Sequence, residues 1–140
     1  MMQRAKARFA VVLAVGAWAV VRCDGETTVA PPPPPTECTD SVRVTVTFDD
    51  TIPVFSWTPN CMLGRLLVEE GIDEYWGTET YGMNTYRTPI VYDINPPGTA
   101  PEEPARPLVP GHTYRVTLFR WVTYTPVESL QVVGVRDFTR

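Results

Sequence analysis

The chain has 140 residues, 12 of them basic and 16 acidic, with 44% hydrophobic and 20% charged residues overall. That length fits one domain of about 100 to 150 residues plus additional segments. Without residues 1–22 it carries 8 basic and 16 acidic residues, a net charge of −8. Such a balance keeps the chain soluble and excludes nucleic acid and anionic headgroups as expected partners, because both are repelled.

Arg4, Lys6 and Arg8 form a cationic start with no acid before Asp24, and residues 9–21 are an unbroken apolar run of 13. A bilayer-spanning helix takes roughly 20 residues, so the run has the length of a signal-peptide core instead. Residues 1–22 are therefore read as a signal peptide, against the alternative of a buried helix or anchor. Residues 17–19 (AWA) fit a cleavage site. Cys23 stands where a bacterial lipoprotein is lipidated, although Arg22 departs from the small residue that pattern wants. With Cys38 and Cys61 it makes three thiols, an odd number in an exported chain, and lipidation of Cys23 would leave one pair. The expected localisation is export, either to the cell envelope through that lipid or as a free secreted form. A lipid on Cys23 would be the one membrane attachment.

Residues 23–37 read as a linker, and Pro31 to Pro35 form a stiff polyproline rod of about 3 Å per residue. Residues 38–140 carry the domain. Val42, Val44, Val46 and Phe48 alternate with Arg43, Thr45 and Thr47, the period of a half-buried strand. Residues 53–58 return as a second strand after a turn at Asp49 and Asp50. Antiparallel pairing about that turn gives opposed residue numbers summing to about 101. Cys38 and Cys61 then fall nearly opposite each other, so a disulfide is expected, with two buried free thiols as the alternative. Residues 63–70 form a third strand with Leu66 and Val68 inward, ending at Gly71, and 73–80 a fourth. Residues 87–93 read as another strand. Six prolines between residues 95 and 110 exclude helix or central strand there. Residues 114–123 and 130–138 complete the set, with Gly134 a candidate bulge. The inward parity changes from Val116 and Leu118 to Phe119 and Trp121, which needs a bulge or burial on both faces. The expected architecture is all-β, a two-sheet antiparallel sandwich.

Catalytic groups are scarce. His112 is the one histidine, in a turn where an exposed polar residue is ordinary, and none of Ser41, Ser56 and Ser129 sits in a G-x-S-x-G elbow. No cofactor, metal site or enzymatic activity is expected. Glu69, Glu70, Asp73 and Glu74 are read as a solvated acidic edge rather than a calcium site. Aromatic residues are the stronger lead. Tyr75, Trp76, Tyr81 and Tyr86 cluster in a segment with Gly77, Gly82 and Asn84 between them, and Trp121 and Tyr124 end the long strand. Exposed, these six would form a surface for a sugar or a protein; buried, they would cover the edges of a small core.

Three segments carry a resemblance. Residues 55–59 (FSWTP), 64–70 (GRLLVEE) and 108–118 (LVPGHTYRVTL) resemble the second strand, the third strand and the tyrosine-corner strand of a fibronectin type III-like or immunoglobulin-like domain. The likeness spans roughly residues 42–138 and weakens over 73–106. It implies that Trp57 sits in the sandwich core and that Tyr114 bonds back to the turn holding Leu108 and Gly111. A fold of this kind does not choose a ligand. The expectation is a non-enzymatic binding or scaffolding module with an unidentified protein or glycan partner. The alternatives are an accessory subunit docking on a larger envelope complex, and a carbohydrate-binding module using surface aromatics.

Overall fold

A computed structural model describes residues 36–124 and 127–140, with only the backbone of Thr123 and Tyr124. The expected signal peptide, Cys23 and all but the end of the linker lie outside the described residues. What is described is all-β, in two antiparallel sheets facing one another across a shared core, a sandwich-like arrangement.

The first sheet has the order β1-β2-β5. β1 (Arg43–Asp49) and β2 (Ile52–Thr58) form a hairpin through Asp50, whose φ of +55° suits a short polar residue. Val44 faces Trp57 and Val46 faces Phe55, which is the register expected from the turn position. Cys38 and Cys61 are bonded, with Cα atoms 4.9 Å apart. β5 is shorter than expected, Ile90–Val91 alone. Pro89 has no N–H to give the ladder, and Asp93 turns the chain away at φ +65°, so residues 87–93 do not form a continuous strand.

The second sheet has the order β6-β4-β3-β7-β8. β3 (Arg65–Glu70) and β4 (Asp73–Glu79) meet at Gly71, whose φ of +64° favours glycine. β6 (Ala100–Glu103) lies in the proline-rich stretch, and as an edge strand it tolerates Pro101. β7 (Thr113–Tyr124) and β8 (Val127–Thr139) are 12 and 13 residues long, about twice the length of their neighbours. β3 accompanies β7 only as far as Phe119, so the rest of the hairpin projects as a two-stranded arm.

The expected change of parity is a bulge. Leu118 faces Gly134 and Phe119 faces Val132, leaving Val133 as the extra residue. Gly134 is there for space: a Cβ on it would lie 2.7 Å from Val42 Cγ2 and 2.8 Å from Val44 Cγ2. β1 passes that close because the Val42 N–H donates to the Val133 carbonyl at 2.7 Å.

Phe55, Trp57, Leu66, Val68, Trp76, Val116 and Leu118 fill the space between the sheets. Trp57 is 3% exposed, and its indole N–H donates to the Cys61 carbonyl at 2.8 Å, so burial leaves no orphaned donor. At one end of the core the Tyr114 hydroxyl accepts the Val109 N–H at 2.8 Å. Leu108 packs against the same core, and Gly111 takes the positive φ, +83°, of the bend.

Candidate binding surface

The six aromatic residues do not form one surface. Trp76 faces Val68 on the inner side of the sheet and is 1% exposed, its ring centroid 6.3 Å from Phe55 and 5.2 Å from Tyr92. Tyr86 is equally buried, its hydroxyl 2.7 Å from Thr78 Oγ1. Both leave the expected ligand surface, because the polar residues between them turn inward as hydrogen-bond partners rather than out to water. Tyr75 is half-buried, edge-on to Tyr114 at 5.0 Å and beneath the Arg106 guanidinium. Tyr81 is 72% exposed. The side chain of Tyr124 lies outside what is described.

Trp121 is half-buried and unusually well fastened. Beyond Phe119, β7 has lost β3 as a neighbour, and the side chain of Asn84 takes its place. Asn84 Oδ1 accepts the Trp121 N–H at 2.8 Å, and Asn84 Nδ2 donates to the Trp121 carbonyl at 2.9 Å. The amide thus reproduces a β-ladder pair. Trp121 Nε1 donates to the Thr80 carbonyl at 2.6 Å, and Thr80 Oγ1 bonds the Met83 carbonyl. The indole lies over Gly64, where a Cβ would stand 2.2 Å from its Cδ1. Three hydrogen bonds and one glycine therefore clamp the loop from Thr80 to Asn84 onto the arm. Sequence reasoning missed this clamp, since Asn84 and Trp121 are 37 residues apart.

The clamp sets up the outer face of the larger sheet. Leu67, Thr117 and Val135 share that face by register, as do Arg65, Phe119 and Val132. Glu102 holds Arg65 through two oxygens at 2.5 and 2.6 Å, and the guanidinium lies 5.0 Å over the Phe119 ring. Glu102 lies against Gly77, where a Cβ would stand 3.4 Å from its carboxylate and 3.2 Å from Leu67 Cδ1. Burial pushes the Glu102 carboxyl up, against the pull of Arg65. On the same face Val132 at 51% and Val135 at 48% stay exposed, and the clamped loop carries Tyr81 at 72% and Met83 at 61%. No family model, curated protein or solved structure matches the chain.

A second polar group sits at the opposite end. Glu70 accepts the Tyr75 hydroxyl at 2.7 Å and lies 2.8 Å from His112 Nδ1. These two bonds hold its carboxyl below the usual value, and the bond to Glu70 pushes Tyr75 up to about 12. The group ties the β3–β4 turn to the bend before β7. Glu69 and Glu74 face each other across the hairpin, as do Glu70 and Asp73. An open cleft of about 360 Å³ nearby is lined by Ile52, Pro53, Tyr92, Ile94, Pro107 and Leu108. Its Arg106 is already paired with Glu103 at 3.0 Å.

Proposed function

We propose that the chain is an exported, non-enzymatic module that binds or scaffolds a protein partner at the cell envelope. Exposed apolar residues on the outer face, Val132 and Val135, and on the clamped loop, Tyr81 and Met83, carry this reading. Apolar side chains on a sheet and on a loop that polar bonds hold in place are preorganised for contact, which lowers the entropy cost of binding. Export is supported by the Cys38–Cys61 bond, which suits an oxidising compartment. A fibronectin type III-like or immunoglobulin-like kinship is part of the same reading. It is supported by Trp57 in the core, the Tyr114 bond to the preceding bend, and the order β3-β7-β8, the C-F-G order of such domains.

The carbohydrate-binding alternative has lost Trp76 and Tyr86 to the core, so a flat array of stacked rings has little left to stand on. The other alternative is an accessory subunit whose sheet edge docks on a larger envelope complex as a permanent part of it. The test is site-specific photo-crosslinking in cells that make the protein, with the reactive residue at Met83, at Val132 or at Val109. One envelope protein captured from the first two positions and not from Val109 is the expected result. Equal capture at all three, or capture at none, removes the reading. Binding to a glycan that Tyr81→Ala abolishes would replace it with the sugar-binding alternative.

A further inference from the structure

The sheet edges of this molecule are closed in several different ways, and one stretch is left open. β6 carries Pro101 and two carboxylates and is followed at once by Pro104, which together discourage a new strand. β5 offers only two residues. β1 leans on the later half of β8, where Val42 bonds Val133 and the Phe48 ring lies 6.3 Å from that of Phe138. The edge of β7 past β3 is capped at Trp121 by the Asn84 amide. Among the described residues, the outer edge of β8 from Val127 to Val132 has none of these devices.

That stretch contains no proline and no basic residue, and Glu128 is its one charge. Five of its six residues are exposed, with Val127 at 63% and Val132 at 51%, and Leu130 is half-buried. In an antiparallel strand every second residue turns its N–H and C=O away from the paired neighbour. Among the described residues nothing meets those groups here. The chemistry that completes such a row is another extended strand.

We propose that the strand is β8 of a second copy, paired antiparallel about a two-fold axis normal to the sheet and centred on Leu130. A two-fold makes the same patch both donor and recipient. Because that axis keeps outer faces together, opposed residues must share parity. Centring on Leu130 sets Ser129 against Gln131 of the second copy and Glu128 against its Val132. The lone carboxylate then meets an aliphatic side chain and not another carboxylate. A second copy also arrives with its strand already extended by β7, whereas a disordered peptide would lose conformational entropy on pairing. The union brings the exposed Val132 and Val135 of the two copies onto one broader outer face. Five residues of each strand, Glu128 to Val132, pair in a small contact, in the class below about 1,200 Å² where association is weak and transient. The inference goes beyond the proposed envelope role and does not depend on it.

The test uses the whole chain in a Cys23→Ser background, purified and mildly oxidised. Directly opposed Cβ atoms in such a pair lie about 5 Å apart, close enough for a disulfide after a small adjustment. Leu130→Cys is expected to give at least tenfold more covalent dimer than Ile72→Cys, which sits 96% exposed on the β3–β4 turn. Adding Val132→Glu places a carboxylate against Glu128 of the other copy at two symmetric positions, and should cut the dimer at least tenfold. Adding Glu128→Lys to that variant should restore it. Equal cross-linking at both cysteines, no loss of dimer with Val132→Glu, or no rescue by Glu128→Lys would each overturn the proposal. Capture of an envelope protein from Met83 is a separate readout, so the two readings can fail independently.

Discussion

The Tyr114 end of the sandwich and the β7–β8 arm use the same residue types and hold them in opposite ways. At the first, ring packs on ring: Phe138 lies 5.7 Å from both Phe55 and Tyr114, and Tyr75 lies 5.0 Å from Tyr114. In the arm, the indole of Trp121 rests on a glycine and donates to the Thr80 carbonyl, while the Asn84 amide holds the Trp121 backbone. Packing removes apolar area from water and supplies stability. Polar fastening fixes geometry while leaving Tyr81 and Met83 in solvent. One region keeps the molecule folded, and the other presents it.

The sharpest way to break that contrast is to truncate one ring in each region. Trp76→Ala empties a fully buried site and should cost about 3–5 kcal/mol. Tyr81→Ala removes an exposed ring and should change stability by less than about 0.5 kcal/mol. Urea denaturation followed by circular dichroism measures both. Comparable losses would mean that the arm is part of the core after all. Next in size is the disulfide. Replacing Cys38 and Cys61 together by serine opens a loop of sequence separation 23 and should cost about 3 kcal/mol. That loss should fall on the whole domain, since the bridge ties the entry of β1 to the loop after β2, and should leave cross-linking from Met83 unchanged.

The clamp gives a smaller and more local effect. Asn84→Ala leaves the Trp121 N–H and carbonyl without their partners in a partly buried place, at about 1–3 kcal/mol. Faster hydrogen exchange at the Trp121 amide, with core amides little affected, is the expected signature. Gly64→Ala should produce the same signature by displacing the indole, so the double variant should cost less than the two single costs added. Strict additivity would show that the two residues act apart.

How far these features were legible follows from how local they are. The period of two in residues 42–48 and the turn at Asp49–Asp50 are neighbouring facts, and they were enough to place Val44 against Trp57 and Cys38 beside Cys61. The bend before Tyr114 is equally local. For Trp76 and Tyr86 the sequence left exposure and burial both open, because Thr78, Thr80 and Asn84 around them are polar yet buried. A polar residue in a string of letters carries no mark of whether water or another residue will bond it. The truncation at residues 87–93 has the same character: β propensity was present, but Pro89 and Asp93 ended the ladder on both sides. The arm was visible only as a change of parity, which named a bulge without saying that the strands beyond it would stand clear of the sheet.

The smallest effect probes the Tyr114 end through pH. Glu70 takes hydrogen bonds from Tyr75 and His112 that lower its pKa from 4.5, so the folded state favours the carboxylate. A depressed acid contributes stability above its unfolded value and loses it as pH falls through the folded one, which places that loss below pH 4.5. Tyr75 is raised from 10.0 to about 12, so the folded state favours the neutral phenol. Its contribution is complete below pH 10.0 and disappears as pH climbs to about 12. Tyr75→Phe removes the bond common to both shifts, while retaining the ring between Tyr114 and Arg106. The melting temperature of the native chain should therefore exceed that of the variant by a constant, small margin between pH 5 and 10, because solvent screens both groups. The margin should narrow on either side of that window. A margin that stays level up to pH 12 would mean that the phenol of Tyr75 is not bonded to Glu70 in solution, leaving the aromatic contacts to hold this end alone.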